Sequence, residues 1–324
     1  MSSDTETPDL TRSGVIDRII EGTSGGFFVA CAVISVLTTV AIFVTLLSDA
    51  VSFFASVPFS EFLFATEWSP NTVGGRQIFG IIPLVFGTLM VTITAAFIAL
   101  PVGTLTAIYL SEYASARLRS ILKPMLEVLA GVPTVVYGYF ALVYITPLLE
   151  ATLFPEISTF NALSASLMVG IMTIPMVSSI SEDAMSAVPD SLRQAGYGLG
   201  ATKYEVSTGI VVPASISGSA SSYILAVSRA IGETMIVVVA MGSQARMPAI
   251  QEGFFGIPFF NPLDALLDTG MTITVAMVQI AGSDLTGGSI AYDGMFALGL
   301  ALFAITLTMN ILSNIVSERY REVY

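Results

Sequence analysis

Histidine is absent from the 324 residues, and cysteine occurs once, as Cys31. A zinc site built from His and Cys is therefore excluded within the chain, as are a Ser/His/Asp triad and an intrachain disulfide. Lysine is nearly as rare, with only Lys123 and Lys203. A phosphate-cradling P-loop needs Gly, four residues, then Gly-Lys-Ser/Thr, and neither lysine follows a glycine, so the chain carries no such ATP site. No intramembrane carboxylate pair or nucleophile-base pair stands out either, which disfavours an enzyme and points to a non-catalytic subunit.

Charge of any kind is scarce. Charged residues make up 11% of the chain, against about a quarter in soluble domains. The mean hydropathy of +0.82 comes from long apolar runs that follow one another without a long polar segment between them. One membrane-embedded domain is the reading. The net charge is −12, from 24 acidic and 12 basic residues, so a blanket basic surface for nucleic acid is excluded and no nucleic acid partner is expected. Adaptation to high salt and compositional drift both account for the acidic balance.

A membrane helix needs about 20 apolar residues. Six stretches qualify, at 25–47, 79–110, 125–149, 162–180, 215–241 and 295–316. With the N-terminus inside, the inside segments hold Arg12, Arg18, Arg117, Arg119, Lys123, Arg193, Lys203, Arg319 and Arg321, while the outside segments hold only Arg76 and Arg246. Cytoplasmic loops retain Lys and Arg, so both termini are expected in the cytoplasm of a multi-pass plasma-membrane protein. Residues 1–24 then form a cytoplasmic tail without a signal-peptide cleavage pattern, 25–317 the membrane domain and 318–324 a second cytoplasmic tail. Pro83 and Pro101 predict a tilted or kinked second helix. The large outside loop, 243–294, contains a short apolar run at 269–281 that reads as an interfacial or re-entrant helix.

The inside loop 182–214 is the most structured polar stretch. Pro189 suits the first turn of a helix, Leu192, Ala195 and Leu199 give it an apolar stripe, and Gly200 can end it in a left-handed conformation. Thr202 and Glu205 have capping-box spacing, so a second short helix is expected to start there and run toward Pro213. The consequence is a compact knob of two helices about a glycine turn.

The fifth run places Arg229 and Glu233 one helical turn apart near its middle, among Ser222, Ala226, Ala230 and Gly232. Ionisable groups are expensive in hydrocarbon, by about 2.5 to 3.5 kcal/mol for Arg at mid-bilayer, and usually lie on transport paths. At this spacing the two are expected to pair on one face of a central helix, with Arg229 offering a fork of donors to a tetrahedral oxyanion and Glu233 orienting it. A packing ion pair is the plainer alternative. Glu127 reads as a carboxylate in the first turn of the third helix. Trp68, Glu61, Glu67, Glu252, Asp264 and Asp268 lie on outside segments, where seating a partner, interfacial anchoring and ordinary solvation explain them equally.

The knob resembles the loop motif of binding-protein-dependent ABC importer permeases: Glu-Ala-Ala, three residues, Gly, nine residues, then Ile-x-Leu-Pro. The matching positions are Gln194, Ala195, Gly196, Gly200, Ile210 and Pro213, with Val212 at the Leu position. The resemblance implies that this loop docks on an ATPase subunit; Gln194 lacks the charge of the family's Glu. The runs SRAIGETM, LPVGTLTAIYLSEYA and LAGVPTVVYGYFAL resemble phosphate-importer permeases, and EWSPN, FGIIPLVFGTL and PMVSSISEDAM are similar to the PstC type. The fold implied is an all-α membrane protein with six transmembrane helices of the MetI-like permease type. The resemblance further implies phosphate import through Arg229 and Glu233, and a second permease of the PstA type. It also implies a pair of PstB-type ATPases carrying ATP and Mg, and a PstS-type extracytoplasmic phosphate-binding protein. From the residues alone, sulfate or molybdate suits the arginine as well. A secondary carrier is disfavoured, since neither inverted repeats nor paired broken helices are visible in the sequence.

Overall fold

The computed structural model describes residues 15–70, 77–248, 250–252, 258–283 and 288–319. Arg12, Arg76, Arg321 and most of both expected tails lie outside the described residues. In chain order the elements are α1 (Val15–Ser56), α2 (Phe59–Phe64), the strands β1 (Trp68–Ser69) and β2 (Ile78–Phe79), and α3 (Ile82–Ile108). After them come α4 (Ala116–Ala130), α5 (Thr134–Phe140), α6 (Thr146–Thr152), α7 (Ala162–Ser186), α8 (Asp190–Gly198), α9 (Lys203–Val206), α10 (Val212–Ala214) and α11 (Ile216–Ile231). The chain ends with α12 (Met235–Ala240), the strands β3 (Ile250–Glu252) and β4 (Pro258–Phe260), α13 (Pro262–Leu267), α14 (Ile273–Ala281) and α15 (Ile290–Arg319).

Among the described residues, five helical stretches are long and apolar enough to cross a membrane: Thr23–Ser56, Ile82–Tyr113, Thr134–Thr152, Ala162–Ser186 and Ile290–Leu312. A sixth qualifies only as a bent pair, Lys203–Ala214 and Ile216–Ile231, set at 70° to each other. The fold is that of an all-α membrane protein.

The centre is the parallel pair α3 and α7. Small residues let the two backbones meet: a side chain at Gly103 would lie 2.6 Å from Val177, and one at Gly170 would lie 3.2 Å from the Ala95 carbonyl. Around this pair α11 packs on α7, where Ser181 and Ser222 share a 2.8 Å hydrogen bond between buried hydroxyls. By contrast, α1 packs mainly on α15 and leaves a broad apolar surface uncovered.

The two ends of the bundle differ. Where α3 begins, Phe53, Phe62, Phe79 and Trp68 pack edge to face with ring centroids 5.2 to 5.8 Å apart. Trp68 is thus a core residue and not an exposed anchor. At the other end α3 closes in a wide π-type turn, Tyr109–Tyr113, with the Ala114 amide bonded to the Tyr109 carbonyl, and α4 and α8 to α10 gather there.

Several boundaries depart from expectation. The third span is Thr134–Thr152, because Gly131 and Pro133 interrupt the apolar run that was expected to start at 125. Its first part belongs instead to the amphipathic α4, so Glu127 sits in a last turn, where the helix dipole offers a carboxylate no support. Pro83 occupies the first turn of α3, and the helix continues through Pro101. The run 269–281 becomes α14, whose Ile273, Val275, Ala276 and Ile280 are buried against the bundle.

Candidate functional site

The knob forms as a small unit with its own core. Met185 and Val188 from the end of α7, Ala107 from α3 and Val206 and Val211 bury one face. Leu192 and Ile210 pack against that cluster. Proline at position 189 precedes α8 with an extended ψ of 137°, and Gly200 ends the turn at φ +85°, a conformation that few side chains tolerate. The capping box is complete: the Glu205 carboxylate accepts from the Thr202 amide at 2.7 Å, and the Glu205 amide donates to the Thr202 hydroxyl at 3.3 Å. The Thr202 amide first, and second the Thr202 hydroxyl, which donates to the same carboxylate at 2.8 Å, hold the Glu205 carboxyl below its ordinary range.

Gly196 is buried where α8 meets the following helix; a side chain there would come within 2.6 Å of Ile210 and 3.0 Å of Val206. Gln194, Ala195 and Pro213 are exposed, and Ile210 is half-buried. The expected apolar stripe is split. Leu192 turns inward, whereas Leu199 is 90% exposed, and the rings of Tyr197 and Tyr204 are exposed too. The knob therefore presents an apolar, aromatic tip on a rigid base.

The fifth apolar run is not one helix. It stops at Ile231 and restarts at Met235, so Arg229 and Glu233 do not share a helix face, and each has another partner, Met172 Sδ for Arg229 and the Ile236 amide for Glu233. Glu233 is buried, and its side chain accepts from the Ile236 amide at 3.2 Å, capping α12. Its carbonyl accepts from the Thr274 hydroxyl at 3.0 Å, while Thr88 accepts from the Ile273 amide at 3.1 Å. The break is thus held by α14, whose own start is tied to Thr88 of α3. Arg229 points outward from α11, with one Nη2 contact of 3.8 Å to Met172 Sδ. Next to it the Ser228 hydroxyl donates to Asn310 on α15 at 3.3 Å.

Two polar clusters were not singled out from the sequence. Glu182, fully buried on α7, is bonded to Arg119 and to Lys123, the latter at 2.7 Å, and Lys123 also reaches Asp183 at 2.7 Å. Arg193 of α8 reaches Glu112 at 3.0 Å. Both pairs join residues far apart in sequence, so only a spacing rule for α7 against α4, or α8 against α3, could have found them.

With this geometry in place, comparison with known proteins defines the class. Residues 99–322 match the family of binding-protein-dependent transport system inner membrane components, and the chain belongs to that family. It is 31% identical over 293 residues to a probable ABC transporter permease protein, YqgH, of Bacillus subtilis, covering 90% of this chain and 88% of that one. It is 30% identical over 264 residues to the phosphate transport system permease protein PstC of Mesorhizobium japonicum, covering 76% and 74%. A PstA 1 permease of Mycobacterium tuberculosis matches at 35% over 163 residues, about half of each chain (50% and 51%). Among solved structures, a bacterial ABC transporter involved in alginate import shares the fold with a TM-score of 0.62 at 13% identity, covering 94% of this chain and 100% of that one. The MetNI methionine ABC transporter follows with a TM-score of 0.53 at 14% identity, covering 75% and 96%. The chain is therefore a multi-pass membrane component of a binding-protein-dependent transport system.

Proposed function

We propose that this chain is the transmembrane permease subunit of an ATP-driven, binding-protein-dependent importer of inorganic phosphate, forming half of the translocation pathway. The observation that carries the reading is the setting of Arg229. A guanidinium cannot rest against hydrocarbon, yet this one leaves the isolated subunit on its outer surface, within a helix that packs on α3, α7 and α15. Its face is accordingly turned to a second permease subunit across a wet path. Five N–H groups in a planar fork suit a tetrahedral oxyanion, and the half-buried Ser228 with the exposed Asn310 supplies further polar atoms nearby. Phosphate is favoured by the similarity to permeases named for phosphate transport.

In this reading Glu233 does not orient the arginine. It fixes the helix break beside it. The knob around Gln194, Ala195, Gly196, Gly200, Ile210 and Pro213 docks on a PstB-type ATPase, one of two copies, where ATP and Mg bind. The remaining partners are a PstA-type permease and a PstS-type phosphate-binding protein at the opposite face. Both termini and the knob then lie in the cytoplasm, in line with the Lys and Arg bias.

The test is uptake by the complex reconstituted with its neighbours' products. Phosphate should be taken up in an ATP-dependent manner in preference to sulfate and molybdate. Arg229→Ala should abolish uptake and Arg229→Lys should retain little, because a point charge does not replace the fork. Normal phosphate uptake by Arg229→Ala would overturn the pathway role, and preferred uptake of sulfate or molybdate would overturn the substrate.

A further inference from the structure

Arg193 stands one residue before Gln194, and every N–H of its guanidinium is engaged. Nε and Nη2 donate to Glu112 Oε1 at 3.3 and 3.0 Å, and Nη2 also donates to the Met185 carbonyl at 2.8 Å. Nη1 donates to the Val188 carbonyl at 2.5 Å and to Asp190 Oδ1 at 3.2 Å. The side chains of Arg193 and Glu112 are only 14% and 6% exposed. Three elements meet in this one group: α8 carries it, the end of α7 and the turn after it give it the Met185 and Val188 carbonyls, and the wide turn ending α3 gives it the carboxylate.

The remaining contacts between knob and bundle are mostly apolar, through Ala107, Met185, Val188, Val206 and Val211. Apolar contacts are non-directional and tolerate sliding, whereas a guanidinium with all donors committed fixes direction as well as distance. Beyond the joint, α3 and α7 are interlocked at Gly103 and Gly170, and a side chain at Gly218 of α11 would lie 2.4 Å from Ala184 of α7. A displacement of α8 through this joint thus reaches the α3–α7 pair and then the helix bearing Arg229.

We propose that Glu112 and Arg193 form the positioning joint that converts displacement of the knob into movement of α3 and α7, and so couples ATP hydrolysis to transport. This rests on the knob being the ATPase dock. Glu112 lies outside the docking surface, which separates the two ideas.

The experiment uses the reconstituted importer carrying Glu112→Gln, which keeps the shape and removes the charge. Three quantities are read: ATPase retained on purification, ATP hydrolysed, and phosphate taken up. The ATPase should remain bound and active, while phosphate taken up per ATP falls about tenfold, the scale on which a coupling free energy of this kind acts. A second arm replaces both positions, Glu112→Cys with Arg193→Cys, in a Cys31→Ser background, and bridges them with a short bis-thiosulfonate reagent. Bridging should restore the uptake-to-ATP ratio that the unbridged pair has lost. An unchanged ratio in Glu112→Gln, loss of the ATPase from that complex, or bridging that fails to restore the ratio would each overturn the joint. Failure of the docking reading itself is seen separately, as normal ATPase retention and uptake in Gly200→Asp.

Discussion

Glu233 illustrates how a charged residue in a membrane helix can serve the backbone. Its carboxylate accepts from the Ile236 amide, one of the donors left over when a helix starts, and its carbonyl is held by Thr274. Glu233→Ala should remove the cap at a cost of about 1 kcal/mol. Hydrogen exchange should then rise at the start of α12 and phosphate uptake should fall, with Arg229 still in place. Unchanged exchange at Ile236 and Val237 would show that the cap contributes nothing. Arg229 and Glu233 were both legible as intramembrane charges, because their cost in lipid marks them in any sequence. Their separation was not legible, since it depends on Gly232 ending a helix and on Thr274 arriving from a distant segment.

The two-helix knob shows the opposite case, an element whose form follows from local chemistry. Pro189, Gly200, Thr202 and Glu205 each act within a few residues, so caps and turn could be read directly from the sequence, and the structure has them. The same local chemistry gives the knob a pH dependence. The Glu205 carboxyl is held below its ordinary value by the Thr202 amide and hydroxyl. Its contribution to the capping box is therefore fully present above the ordinary glutamate range, near about 4.3. That contribution is lost as pH falls through the lowered value. Amide protection at residues 202–206 should decline in that acid window, and Glu205→Gln should flatten the response; an equal decline in both would assign it to another group. Less was legible at α4. Its charges and apolar residues alternate at helical spacing, but what holds it against α7 is the buried Glu182, reached by Arg119 and Lys123, together with Asp183 and Ser186 beside it.

At the level of the whole molecule, the number of apolar runs and their order were readable, because lipid demands backbone bonds closed within each segment. The packing of α14 into the bundle was not, since a short, mainly apolar run looks alike in a loop and in a core. The proposed orientation has a direct check. Gly198 lies at the exposed knob with open space around it. A Gly198→Cys variant, with Cys31→Ser, should react with a membrane-impermeant maleimide only after cells are opened. Labelling of intact cells would invert the topology.

The helix α1 adds a constraint of its own. Its apolar stretch Thr23–Ser56 holds 34 residues, about 51 Å at 1.5 Å per residue. A bilayer offers about 30 Å of hydrocarbon, so the rod must lean, thicken the lipid around it or carry its last turns, from Ser48 and Asp49 on, out of the hydrocarbon. Because it is fastened mainly to α15, whichever adjustment it makes is passed to the last membrane helix. Transport in vesicles of graded acyl-chain length should therefore vary with thickness and change less once α1 is shortened by two turns. The subunit's first helix, on this geometry, makes the lipid itself one of the loads under which the importer works.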